Sequence, residues 1–107
     1  FGFIEKFVTP EGDYGEILSG NTTLAFARHD LASSNFGRKY QKVNQNELFG
    51  IELGFTTSSI DTDFQQAVAA GAEIIEEVKE KPWGQQVGYV KDNNGFLIEI
   101  CTPMKSE

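Results

Sequence analysis

Between Gln86 and Cys101 the chain encodes a hairpin whose second strand is apolar on both faces, and few small folds accommodate such a strand. Asp92-Asn93-Asn94-Gly95 is a strong turn signal, because Asn and Asp hydrogen-bond their own backbone and Gly accepts the conformations a tight reversal needs. In the strand that follows, alternation puts Phe96, Ile98 and Ile100 on one face and Leu97, Glu99 and Cys101 on the other. The pattern fits a central strand, one face against a helix and the other lining a concave sheet surface. Glu99 is the exception in that strand. A carboxylate among apolar neighbours must find a proton, a cation or hydrogen-bond donors, so Glu99 is the first functional candidate.

The segment upstream supplies the partners that such a strand needs. From Phe49 onward Ile51, Leu53 and Phe55 point one way, while Gly50, Glu52, Gly54 and Thr56 point the other. Ser58 or Ser59 is a candidate helix cap, Ile60, Phe64, Ala67 and Val68 form one apolar stripe, Asp61 and Asp63 suit the helix start, and Gly71 suits its end. Glu73 to Val78 is a candidate strand, and Pro82 and Gly84 interrupt the chain before Gln86 to Val90. This half therefore reads strand, helix, strand, strand, strand.

The first part reads as three short strands, Phe3 to Val8, Tyr14 to Leu18 and Thr22 to Ala27, which predicts an antiparallel meander. No strand and helix precede them. If both parts follow one plan, a strand and a helix are expected before Phe1 or from another chain. From His29 to Glu47 the chain is polar without a sustained period, a long connection of the kind used for lids, binding loops or dimer contacts.

Charge and composition narrow the partners. Nine Lys and Arg against sixteen Asp and Glu give a net charge of -7, which repels phosphate backbones and anionic membranes and favours cationic ligands. Nucleic acid and membrane partners are not expected. Cys101 is the single cysteine, so neither an internal disulfide nor a cysteine-based zinc cluster can form. With no secretory leader pattern and no bilayer-length apolar run, a cytoplasmic location is expected. No GxGxxG or Walker loop follows a strand, which argues against ATP and dinucleotides.

Gly50 and Gly54 leave room beside Glu52 on its own face, and adjacent opening and closing strands would turn Glu52 and Glu99 toward one cavity. Paired carboxylates call for a shared proton, a bound cation or an intervening base. A solvated edge position for Glu52, and pairing of Glu99 with an internal Lys, Arg or Tyr hydroxyl, would satisfy the same chemistry. Trp83, on a turn between Pro82 and Gly84, reads as a pocket wall or a cap on the core, and Tyr89, sharing a face with Val87, extends either. His29 is a candidate base or ligand, or a solvated strand-end residue. Arg38, Lys39 and Tyr40 suit closure over a ligand or a dimer contact. Cys101, with no basic neighbours in sequence, reads as an inert buried thiol.

FGIELGFTTSSIDTDFQQAVAAGAEII and PWGQQVGYVKDNNGFLIEI resemble the opening strand and helix and the closing strands of a module in the vicinal oxygen chelate family, the glyoxalase, bleomycin-resistance and extradiol dioxygenase superfamily. FGFIEKF resembles the passage leaving the first module's helix. The resemblance implies an α+β fold of paired βαβββ modules with a curled mixed sheet. A single domain over 1–107 would comprise a partial first module at 1–28, lacking its opening strand and helix, a connecting loop at 29–48 and a second module at 49–104. In metal-bearing members the closing strand supplies a glutamate, matched by Glu99, and the opening strand of this module a histidine, whose place Glu52 takes. The last strand of the first module also donates an acidic ligand there, where this chain has Leu24, Ala25 and Phe26. The resemblance thus implies a homodimeric binding protein of the bleomycin-resistance type. It needs no cofactor and holds an organic, cationic or aromatic small molecule against Glu52, Trp83, Tyr89 and Glu99. The alternative is a divalent-metal enzyme ligated by Glu99 and Glu52, either a glyoxalase-like lyase or isomerase, a thiol transferase or a dioxygenase.

Overall fold

The computed structural model describes residues 1–104. The chain divides into two compact units, one over Gly2–Gln41 and one from Lys42 onward together with Phe1. In the first unit, β1 (Ile4–Val8), β2 (Tyr14–Ser19) and β3 (Thr22–Ala27) form a three-stranded antiparallel sheet in the order β1-β2-β3, the expected meander. A short helix, α1 (His29–Ser34), follows. It lies inside the stretch read as irregular connection, because six residues with none buried leave no apolar period in the sequence.

The second unit contains β4 (Glu52–Thr56), α2 (Ile60–Ala69), β5 (Glu73–Glu80), β6 (Gln86–Lys91) and β7 (Leu97–Cys101). Its four strands are ordered β4-β7-β6-β5, with β4 parallel to β7 and the other neighbours antiparallel. The apolar stripe of α2 lies on one face of this sheet. Ile60 and Phe64 are buried with Val90, Ile98 and Ile100, and Phe55, Ala67, Val68, Ala72 and Val78 pack around them. Gly88 brings β6 close to the helix, since a methyl there would sit 2.7 Å from a ring carbon of Phe64 and 2.9 Å from Val78 Cγ2.

The ends of the elements follow local chemistry. Gly71, at φ +112°, closes α2 in a conformation open chiefly to glycine. At the helix start neither Ser58 nor Ser59 caps through its side chain. Instead the Ser59 N–H donates to Thr57 Oγ1, and that hydroxyl donates to Asp63. In the predicted hairpin turn Asp92 Oδ1 accepts the N–H groups of Asn94 at 2.9 Å and Phe96 at 2.8 Å.

The expected curled mixed sheets are not what folds. Both sheets are open: β1 and β3 end one, β4 and β5 end the other, and only the second is mixed in direction. Strong curling needs twist and bulges in the body of a sheet. Here register breaks fall only in the edge strands β1 and β5, while the β2–β3, β4–β7 and β6–β7 ladders run without interruption. Apolar alternation reports which face is covered and carries no information about curvature.

Candidate functional site

Glu99 projects from β7, a central strand of the second unit, on the face turned away from α2. Its neighbours follow from register. Tyr89 lies opposite it on β6, Gly54 opposite it on β4, and Glu76 of β5 lies opposite Tyr89, so Glu76, Tyr89, Glu99 and Gly54 form one row across the sheet. Glu52 sits two residues before Gly54 on β4, and side chains two apart share a face. The arrangement therefore gathers Glu52, Tyr89 and Glu99 on one surface.

The Tyr89 hydroxyl donates to Glu99 Oε2 at 2.9 Å. Burial, the hydrogen bond to Glu99 and the negative charges of Glu99, Glu52 and Glu76 push the Tyr89 phenol up to about 12. Each of these effects disfavours a phenolate beside carboxylates. Tyr89 is thus a neutral donor through the physiological range. The pairing of Glu99 with a tyrosine hydroxyl is one of the arrangements open from the sequence. Beside them Cys101 is buried, its Sγ 3.7 Å from the Phe55 carbonyl oxygen, and burial followed by Glu99 raises the thiol above its usual range. A thiol so disfavoured as thiolate is a poor nucleophile.

The acids on this face fall into two kinds. On the β5 side, Glu76 is paired with Lys79 at 2.5 Å and Lys81 at 3.0 Å, and Glu73 with Lys91 at 2.9 Å. On the β4–β7 side, neither Glu52 nor Glu99 has a basic partner among the described residues. Glu76 belongs to the site's electrostatics yet escapes sequence reading. Register shifts between Ile74 and Glu76 and between Glu76 and Lys79 break the two-residue period, so counting along β5 misassigns its faces.

The other candidates stand elsewhere. Trp83 is 61% exposed on the turn joining β5 and β6, where its indole N–H donates to Gln85 Oε1 at 2.8 Å. His29 belongs to the Gly2–Gln41 unit, its Nδ1 2.5 Å from the Tyr40 hydroxyl, and Phe36 contacts the same tyrosine ring. On the opposite side of the four-stranded sheet, Phe64, Val68, Ile74 and Val78 line an open depression of about 410 Å³ between α2 and β5.

A divalent metal, which metal-bearing relatives of such a fold would hold at Glu99, does not fit the donors of this unit. One Glu99 oxygen is engaged by a phenol, the residue across from Glu99 on β4 is a glycine, and no grouping of three or more His, Cys, Asp or Glu suited to a metal occurs among the described residues.

The family model of the glyoxalase-like domain matches residues 6–105. No curated protein matches the chain. Among solved structures, the chain is similar to a glyoxalase-related enzyme from Fulvimarina pelagi, with a TM-score of 0.82 at 19% identity over 96% of this chain and 72% of that one. It also resembles TioX from Micromonospora sp. ML1, with a TM-score of 0.69 at 24% identity over 95% of this chain and 80% of that one. A third likeness is to a glyoxalase/bleomycin resistance protein/dioxygenase superfamily member from Sphaerobacter thermophilus, with a TM-score of 0.67 at 17% identity, covering 95% and 78%. At these identities the likeness is one of fold.

Proposed function

The chain belongs to the glyoxalase-like domain family, within the glyoxalase, bleomycin-resistance and dioxygenase superfamily, and on that premise we propose that it binds and sequesters an organic cation. The family holds both ligand-binding and metal-dependent enzymatic members, so membership alone does not choose between them. The observation that carries the binding reading is the division of the acids on one sheet face. Glu73 and Glu76 have lysine partners, whereas among the described residues Glu52 and Glu99 have none; Glu99 accepts the Tyr89 hydroxyl and Glu52 acts on that phenol through its charge. Uncompensated carboxylates next to an aromatic ring suit an aromatic or alkyl ammonium ion: the charge meets the acids and the ring supplies contact area. The net charge of -7 concentrates cations around the whole molecule and favours the same ligand class. Trp83, exposed on its turn, is proposed as a further aromatic contact, and the binding form as a homodimer in the cytoplasm.

Fluorescence titration with proflavine, a planar cation whose protonated ring nitrogen carries an N–H, and with anilinonaphthalene sulfonate, an aromatic anion, tests this reading. Proflavine is expected to bind more tightly and to lose affinity in Glu99→Gln. Equal affinity for the two dyes, or a stoichiometric transition metal in protein purified without added metal, would overturn it.

A further inference from the structure

Gly54 is a glycine in a regular strand position, where glycine is ordinarily unfavourable because it adds backbone entropy and packs nothing. It is not there to spare the backbone, since its φ lies outside the left-handed region. Nor does it admit a neighbouring strand or helix. A methyl at this position would meet, within 4 Å, one atom outside its own chain neighbours, Glu99 Oε1 at 3.3 Å. That approach is tighter than ordinary van der Waals contact. Every other direction from the site of that methyl is open among the described residues.

The two oxygens of Glu99 therefore differ. Oε2 holds the Tyr89 hydroxyl, the buried Cys101 thiol also hydrogen-bonds the carboxylate, and Oε1 faces the backbone of Gly54. A carboxylate oxygen carries two lone pairs, so Oε1 can accept from a ligand donor seated over Gly54, and a charged N–H donor makes the stronger bond. Only a small donor fits against a backbone. An ammonium carrying N–H groups presents its hydrogens directly to the oxygen, whereas a quaternary ammonium has no donor and surrounds its charge with methyls.

We infer that Gly54 is a specificity-determining residue: the open floor it leaves beside Glu99 Oε1 selects ligands bearing an N–H ammonium group over quaternary cations. This rests on the organic-cation reading above and names the ligand class within it. The same geometry makes Gly54 a position where stability and binding oppose one another. Alanine in a strand removes unfolded-state freedom and is tolerated at the Gly54 φ, yet its methyl occupies the floor of the subsite.

Benzylamine and benzyltrimethylammonium, titrated by NMR chemical-shift perturbation into wild-type protein and Gly54→Ala, provide the test, with thermal melts alongside. Wild type is expected to prefer benzylamine. Gly54→Ala is expected to melt no lower than wild type while losing about tenfold or more in benzylamine affinity, the scale of one lost charge-assisted hydrogen bond. Unchanged benzylamine affinity in a folded Gly54→Ala, or wild-type protein that prefers the quaternary probe, would overturn the inference. The wild-type comparison decides the matter independently of how the variant folds. If proflavine still binds while Gly54→Ala has no effect, this inference alone falls. If neither proflavine nor benzylamine binds the wild type, the organic-cation reading falls with it.

Discussion

The pair formed by Tyr89 and Glu99 ties proton chemistry to fold stability. Because the Tyr89 phenol is held near about 12, above its ordinary value of 10.0, the folded state keeps a proton that the unfolded chain gives up. The stabilising contribution is present in full below pH 10 and is lost as pH rises toward about 12. Spectrophotometric titration of the phenols should show one tyrosine with this late midpoint, and in Glu99→Gln that midpoint should fall toward 10, since both the charge and the anionic acceptor are removed. An unmoved midpoint would mean that burial alone raises it. Glu99 was legible in the sequence because a carboxylate interrupting an apolar strand stands out. Its partner was not, because the choice among Lys, Arg and Tyr depends on which residue lies opposite across the hairpin, and that is a matter of register.

At the scale of elements, the core of the second unit is a contact between α2 and the middle of the sheet, so its sensitivity is concentrated in a few positions. Gly88→Ala would press a methyl into Phe64 and Val78 and is expected to destabilise by about 1–3 kcal/mol through overpacking. Ile100→Ala, at the most deeply buried position of β7, should cost about 2–5 kcal/mol through lost burial and a residual cavity. Urea denaturation of both variants checks these values, with a lowered midpoint and an unchanged slope as the expected result. The strands and α2 were readable because turn residues and apolar periods mark them from within. β5 was only partly readable: its bulges shift the alternation, so Glu76 and Val78, two residues apart, serve opposite faces.

For the whole molecule the charge of -7 makes binding dependent on ionic strength. Proflavine affinity should fall as salt rises from roughly 0.01 M to 0.15 M, over which the screening length shrinks from ~30 Å to ~8 Å. A salt-independent affinity would assign the binding to apolar contact alone. The proposed dimer is checked by sedimentation equilibrium, where a mass of twice 11.9 kDa is expected. By itself the sequence determined the strands of both parts and the helix α2, the apolar and polar faces of the closing strand, the candidacy of Glu99 and the acidic field around it. These depend on composition and on periods of two and 3.6 residues, which are local properties. Only the tertiary structure decided that the sheets stay open, that Tyr89 takes one oxygen of Glu99 while the other faces Gly54, and that lysines neutralise Glu73 and Glu76 but not Glu52. Each of those depends on which strands become neighbours and in what register, and the pairing joins residues tens of positions apart along the chain.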